Sequence, residues 1–248
     1  MGKRLVLVGG AGAIGQAFAR NAASEGDEVV IFDLEASLRQ AGLLDDDHAF
    51  PVDVTRRDSI DEAVRKLSGR WDSVDGLVYL SGYSTVPPRL AVEVSDDEWN
   101  AIIDVNLTGA FRTITAVEPL LKAGEGRIVI VSSSMAFGPV KGFAPYIASK
   151  AGLIGLTRAL ALEFAPFVRV NAIAPSAMET PFLFGGTGLS EDDSKSDWFD
   201  ATSFIDSIPM GRLAVTEDCV GAIDYLLSNK ADFVTGQVIH INGGRQMR

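Results

Sequence analysis

The chain repeats one unit, a short unbroken apolar run followed by a longer segment with apolar residues at helical spacing, and this alternation limits the folds open to it. Leu5 to Val8 is the first run, and Ile14, Ala17, Phe18 and Ala22 follow at helical intervals. Glu28 to Asp33 holds Val29-Val30-Ile31-Phe32, and Ala49 to Val54 makes a third run. Thr55 with Asp58 has capping-box spacing for a helix through Leu67. Val74 to Leu80 is the fourth run, and Ser95 with Glu98 opens a helical stretch through Trp99, Ile102 and Ile103 toward Leu121. Gly126 to Val131 carries the densest β-branched run, ahead of a helix from about Tyr146 to Phe164. Val168 to Ala174, a helix over Thr216 to Leu227 and a strand over Gln237 to Ile241 complete the series.

Runs that are apolar throughout, rather than alternating, suit strands buried on both faces of a parallel sheet, with helices above and below. An eight-unit barrel would need a longer chain, and the glycine cluster follows the very first strand. The expectation is a single-domain Rossmann-like doubly wound parallel sheet of about seven strands over residues 1–248. Phe182 to Ser207 breaks the rhythm: Gly185, Gly186 and Gly188, then Glu191, Asp192 and Asp193, then Trp198, Phe199, Phe204 and Ile205. A long irregular connection in such a fold reads as a substrate loop or lid, here about residues 182–207, ending in a short amphipathic helix.

Charge and composition exclude several classes. With 33 acidic against 22 basic residues, the net charge of -11 repels phosphate backbones, so no nucleic-acid partner is expected. Lys3 and Arg4 precede an apolar run that stops at Gly9, too short for a secretion signal, and nothing reaches the roughly 18 apolar residues of a membrane span. The lone Cys219 allows no internal disulfide, and a cytoplasmic location is expected. His48 and His240 are the only histidines, so no zinc signature exists and no metal is expected. His240 and Cys219 read as packing residues and His48, beside Asp46 and Asp47, as solvated.

Gly9-Gly10-Ala11-Gly12-Ala13-Ile14-Gly15 joins the first strand to the first helix. Glycine permits backbone angles that other residues resist and lets amides approach a pyrophosphate, and the helix adds its positive end. Glycine-rich turns also arise for packing alone. Asp33, 18 residues after Gly15, ends the second strand, where a carboxylate can accept both ribose hydroxyls of an adenosine. It would repel a 2′-phosphate, which favours NAD over NADP; alone, it could equally be a capping residue. Asp53 closes the third run in the same fashion and could accept from an adenine amino group, or be a plain turn carboxylate.

Tyr146 and Lys150 are four apart in one helix and share a face. A phenol titrating near 10 is a poor proton shuttle at neutral pH, and a neighbouring ammonium is expected to bring it closer to use. Ser132, Ser133 and Ser134 follow the densest strand, where ligands of open parallel sheets gather, and one hydroxyl there could steady a developing oxyanion. Three serines also make an ordinary polar turn. Asn106 lies inside the stretch Trp99 to Leu121 and either interrupts the helix to hold a water near Lys150 or is a plain interior asparagine.

Taken in order, these motifs resemble the classical short-chain dehydrogenase/reductase family over almost all 248 residues. The family's serine stands thirteen residues before its tyrosine, which selects Ser133; with Tyr146, Lys150 and Asn106 in Val105-Asn106-Leu107-Thr108-Gly109, the tetrad is complete. The resemblance places the cofactor against Gly9, Gly12, Ala13, Ile14, Gly15, Asp33, Leu34, Asp53, Val54, Ser81, Gly82, Tyr146, Lys150, Pro175, Ala177 and Thr180. Arg169-Val170-Asn171-Ala172-Ile173-Ala174-Pro175, Thr235-Gly236-Gln237 and Asn242-Gly243-Gly244 match later family segments. Departures are Val8 for the first-turn threonine, Ala13 for its middle glycine, Ser176 for the glycine after Pro175, and Tyr79-Leu80-Ser81-Gly82 for the usual asparagine-asparagine-alanine-glycine. Losing those asparagines removes hydrogen bonds that normally steady the central strand.

The family implies hydride transfer between a nicotinamide and a secondary alcohol or ketone, with Tyr146 as acid/base, Ser133 orienting the substrate oxygen, and Lys150 with Asn106 forming a water relay. Met135, Phe137, Phe143, Met178, Phe182 and Trp198, with Ser133 and Tyr146, are the expected substrate walls. Their apolar character points to a small hydrophobic or alicyclic substrate. A 3-oxoacyl thioester reductase is the alternative, and a non-catalytic NAD-binding regulator is an alternative of another class. A homotetramer, or less often a homodimer, is implied by the resemblance.

Overall fold

The computed structural model describes residues 2–44, 47–184 and 199–247. Seven parallel strands hydrogen-bond in the order β3-β2-β1-β4-β5-β6-β7. They are β1 (Arg4–Val8), β2 (Glu28–Asp33), β3 (Ala49–Pro51), β4 (Gly76–Tyr79), β5 (Arg127–Val131), β6 (Arg169–Pro175) and β7 (Val238–Ile241). The helices are α1 (Ala13–Ser24), α2 (Glu35–Gln40), α3 (Arg57–Arg70), α4 (Asp96–Ile103), α5 (Gly109–Ala123), α6 (Ala144–Phe164), α7 (Ala201–Asp206) and α8 (Thr216–Leu227). The strand order reverses between β1 and β4, leaving a crevice at the carboxyl ends of the central strands. This is the Rossmann-like, single-domain arrangement the alternation predicts.

Successive side chains of each central strand enter two cores, which is why the runs carry no polar alternation. Val6, Val8, Leu77, Tyr79, Ile128 and Ile130 pack toward the side that holds Ile60, Ile114 and Leu153. Leu5, Leu7, Val78, Val129 and Ile173 pack toward the side of Phe18, Cys219 and Ile223. Cys219 is a buried packing residue, as expected. His240 stacks against Phe137, ring centroids 4.4 Å apart, and the Arg70 guanidinium contacts the exposed His48 ring. Among the described residues no helix is long and apolar enough to cross a membrane.

Several boundaries differ from expectation, each for a local reason. The third strand ends at Pro51, because Asp53 Oδ1 turns back to accept from the Thr55 amide (2.9 Å) and hydroxyl (2.7 Å). That spends Thr55, so the expected capping box with Asp58 does not form, and α3 begins at Arg57. Ser95 does cap α4, its hydroxyl accepting from the Glu98 amide at 3.2 Å. Pro145 in the first turn lets α6 begin two residues before Tyr146. The helical stretch toward Leu121 is broken at Asp104–Thr108 by a π-helical segment, at the position of Asn106.

Candidate active site

The first turn reaches the end of β1 in a shape that requires glycine at both ends. Gly9 has φ +80°, and a Cβ there would lie 2.5 Å from the Ser81 backbone nitrogen. A Cβ at Gly15 would come within 2.5 Å of the Gly10 carbonyl, so α1 packs directly on the turn. Ala13 needs no such freedom: it begins α1 with an ordinary negative φ. The turn is therefore tolerant of alanine at this position. Gly12 caps α1 without a side-chain partner, no acidic residue lies in the first turn, and Gly12 and Ala13 are exposed. Unpaired first-turn amides facing solvent fit a pyrophosphate.

Asp33 is tied into this turn. Its Oδ2 accepts from the Ala11 amide at 2.9 Å and its Oδ1 from the Leu34 amide at 2.8 Å. Burial pushes its carboxyl up from the ordinary range, while those amides and the Ser37 hydroxyl pull the other way. Leu34 is half-exposed as the N-cap of α2, and Val54 is buried against the space beside Gly109. Ala177 accepts from the Ala214 amide, and the Thr180 amide donates to Met178, so these residues after Pro175 form a bent, bonded segment at the crevice.

The four polar residues of the expected tetrad converge beyond β4 and β5. Tyr146, Ser133, Lys150 and Asn106 are all buried. The Ser133 hydroxyl stands near enough to the Tyr146 phenol to favour its ionised form, whereas the Ser132 hydroxyl turns away to donate to the Lys150 carbonyl at 2.8 Å. Of the three serines, the structure brings Ser133 to the tyrosine. Lys150 Nζ donates to the Val131 carbonyl at 2.9 Å and lies 5.6 Å from the centre of the Tyr146 ring.

The expected lowering of the phenol by this ammonium is corrected. Burial pushes Tyr146 up to about 12, opposed only by the nearby Ser133 hydroxyl. Burial also pulls Lys150 down to about 8. The ammonium sits beside the ring face and spends a proton on a backbone carbonyl, so desolvation decides both groups.

Asn106 spends both of its side-chain donors, and one of its two acceptor positions, within the protein. Its Oδ1 accepts from the Tyr83 amide (2.9 Å), and its Nδ2 donates to the Tyr83 carbonyl (3.0 Å) and to Ser149 Oγ (2.9 Å). Ser149 in turn donates to the Tyr146 carbonyl at 2.7 Å. Ser149 thus links Asn106 to the tyrosine's own helix turn, a role the sequence reading missed. Its signal was a serine in the interior of an apolar helix three residues after Tyr146. Gly82 earns its place by size, since a Cβ there would lie 3.0 Å from Asn106 Oδ1 and 3.3 Å from Lys150 Nζ.

Of the expected substrate walls, Phe182 meets Tyr146 with ring centroids 6.0 Å apart. Phe143 is buried at the N-cap of α6, and Phe137 stacks on His240. Met135 follows Ser133 in a short 3₁₀ turn, its amide donating to Ser133 Oγ. Met178 is built into the core on the α8 side, so packing claims its side chain. Trp198 lies outside the described residues.

Known proteins agree with this geometry. Residues 9–246 match the family profile described as enoyl-(acyl carrier protein) reductase. The chain is 35% identical to a 3-oxoacyl-[acyl-carrier-protein] reductase of Thermotoga maritima, covering 98% of this chain and 97% of that protein. It superposes with TM-score 0.87 on the 3-ketoacyl-(acyl-carrier-protein) reductase of Brucella melitensis complexed with NADH, at 30% identity and 99% coverage of both chains. It also superposes with TM-score 0.87 on the aldohexose dehydrogenase of Thermoplasma acidophilum, at 27% identity over 99% of this chain and 94% of that one. With these likenesses spanning nearly the whole chain, the chain belongs to the classical short-chain dehydrogenase/reductase family, as an oxidoreductase of the CH–OH/carbonyl couple.

Proposed function

We propose that this chain reduces 3-oxoacyl thioesters to 3-hydroxyacyl thioesters with NADH. The full-length likeness to 3-oxoacyl carrier-protein reductases carries the substrate class, in place of the alicyclic alcohols that the apolar walls suggest. The cofactor follows from Asp33, whose carboxylate at the end of β2 welcomes ribose hydroxyls and repels a 2′-phosphate. The NADH held by the Brucella melitensis relative supports the same choice.

When bound, the cofactor supplies a hydride to the carbonyl carbon. The amides of Gly12, Ala13 and Ile14 would hold its pyrophosphate, Asp33 and Leu34 its adenosine ribose, Asp53 and Val54 its adenine, and Ser81, Gly82, Pro175, Ala177 and Thr180 would line the rest of its site. Tyr146 donates its phenolic proton to the substrate oxygen, which becomes the hydroxyl of the 3-hydroxyacyl product. A phenol pushed up to about 12 is protonated at neutral pH, the state needed for reduction. Ser133 steadies the oxygen as charge develops, and Lys150 returns the proton to Tyr146 through water ordered by the turn around Asn106. Phe182 and α7 would flank the bound substrate, while residues 185–198 of the expected lid lie outside the described residues. The same reading assigns a cytoplasmic homotetramer, which light scattering of the purified protein checks.

The test is reduction of acetoacetyl-CoA followed by loss of NADH absorbance, with NADPH and cyclohexanone as competitors. NADH with the thioester is expected to win; preference for the cyclic ketone would restore the alicyclic reading. Tyr146→Phe is expected to lower turnover by about 10²–10⁴-fold while leaving NADH binding by fluorescence unchanged. Retained turnover in the folded variant would remove Tyr146 from the chemistry.

A further inference from the structure

Tyr79 ends β4 at the position of the family's first missing asparagine, fully buried. Its hydroxyl donates to the Val105 carbonyl at 2.7 Å. In an α-helix the Gly109 amide would bond to Val105, four residues back. Here it bonds to Asp104, five residues back, as the π-helical segment Asp104–Thr108 demands. The shift takes the Gly109 amide away from the Val105 carbonyl, and that carbonyl accepts from the buried Tyr79 hydroxyl.

The surroundings are built for this substitute donor. A Cβ at Gly109 would stand 2.8 Å from the Tyr79 oxygen and 2.9 Å from Val54, so glycine there makes room for the phenol. Arg112 braces the same turn from outside, bonding the Asp104 carboxylate at 2.7 Å and the Thr55 carbonyl at 2.9 Å. One residue beyond Val105, Asn106 makes the three bonds that join Tyr83 and Ser149 to the Tyr146 helix. Returning the turn to α-helical register would rotate Asn106 by about 100° around the axis and break them.

We propose that Tyr79 is a positioning residue for the reaction, its hydroxyl replacing the lost helical donor at Val105 and so holding the π-turn that presents Asn106. Its effect on turnover rests on the oxidoreductase reading above, whereas its effect on helix register does not.

Tyr79→Phe keeps the ring and removes the donor. With acetoacetyl-CoA and NADH its kcat is expected to fall about tenfold, with the KM for NADH within about twofold of wild type. In an Asn106→Ala background the same change is expected to cost nothing more, because both act through one turn. A crystal structure of Tyr79→Phe is expected to show the Gly109 amide bonded to Val105. Gly109→Ala, which drives a methyl into the hydroxyl, serves as second variant if the phenylalanine fails to fold, and should show the same loss and the same non-additivity. Wild-type kcat in Tyr79→Phe, losses that multiply with Asn106→Ala, or an intact Gly109–Asp104 bond in the variant crystal would each overturn the proposal. Wild-type protein inert toward acetoacetyl-CoA and cyclohexanone alike would instead sink the functional reading, and the register seen in the crystal would still decide the role of Tyr79.

Discussion

Lys150 is an ammonium taken out of water with one backbone carbonyl, Val131, as its bonded partner, and burial pulls it down to about 8. Tyr146, one helical turn away, is pushed in the opposite sense, to about 12. Both shifts favour the neutral form, so near pH 8 the lysine and not the tyrosine titrates. Below that point Lys150 carries the proton that would resupply the phenol; above it the supply is lost. The kcat for ketone reduction is therefore expected to decline as pH rises past about 8, and Lys150→Met should lose the decline along with about 10²–10⁴ of the rate. A pH–rate profile of both proteins checks this; a wild-type rate flat to pH 10 would contradict it. At this scale the sequence was informative about which residues meet and poor on their electrostatics. Spacing found Ser133, but the sign of the Tyr146 shift depends on how completely α6 and β5 exclude water, which no spacing encodes.

Among the elements, α7 hangs from the C-terminal tail. Arg245 Nε donates to Ser207 Oγ at 2.9 Å and its guanidinium lies 4.2 Å from the centre of the Phe204 ring, while Phe199, just before the helix, packs against Phe204 with ring centroids 5.2 Å apart. If this segment covers the substrate, Arg245→Ala removes roughly 1–2 kcal/mol of docking. The KM for acetoacetyl-CoA is then expected to rise roughly five- to thirtyfold, with NADH affinity and kcat nearly unchanged. Equal KM values in the two proteins would detach the tail from substrate capture. Strands and long helices were legible because a buried parallel strand must be apolar on both faces. Less legible were the features set by side chains reaching outside their own element: Thr55 diverted from its cap by Asp53, and the π-turn, whose extra residue depends on a tyrosine 26 positions earlier donating into it. A helix of six residues such as α2, with Leu38 as its one buried side chain, offers too short a pattern to read.

The molecule as a whole carries -11, and a coenzyme A thioester is also an anion. Approach of the two is opposed at low ionic strength and screened once the Debye length falls to about 8 Å near 0.15 M salt. The KM for acetoacetyl-CoA is accordingly expected to drop about two- to fivefold between about 10 and 200 mM sodium chloride. A neutral short thioester should show no such change, and a thioester series measured at both salts separates long-range charge from local contacts. Integrity of the crevice, by contrast, is local. Because the Asp33 carboxylate clasps the Ala11 amide, the turn proposed to cradle the nucleotide is braced by the protein's own bonds, which lowers the ordering cost of binding there. The same carboxylate is then both lock and latch: an engineer who deletes it to admit phosphorylated dinucleotides loosens the cradle for every dinucleotide, and must supply another acceptor for that amide first.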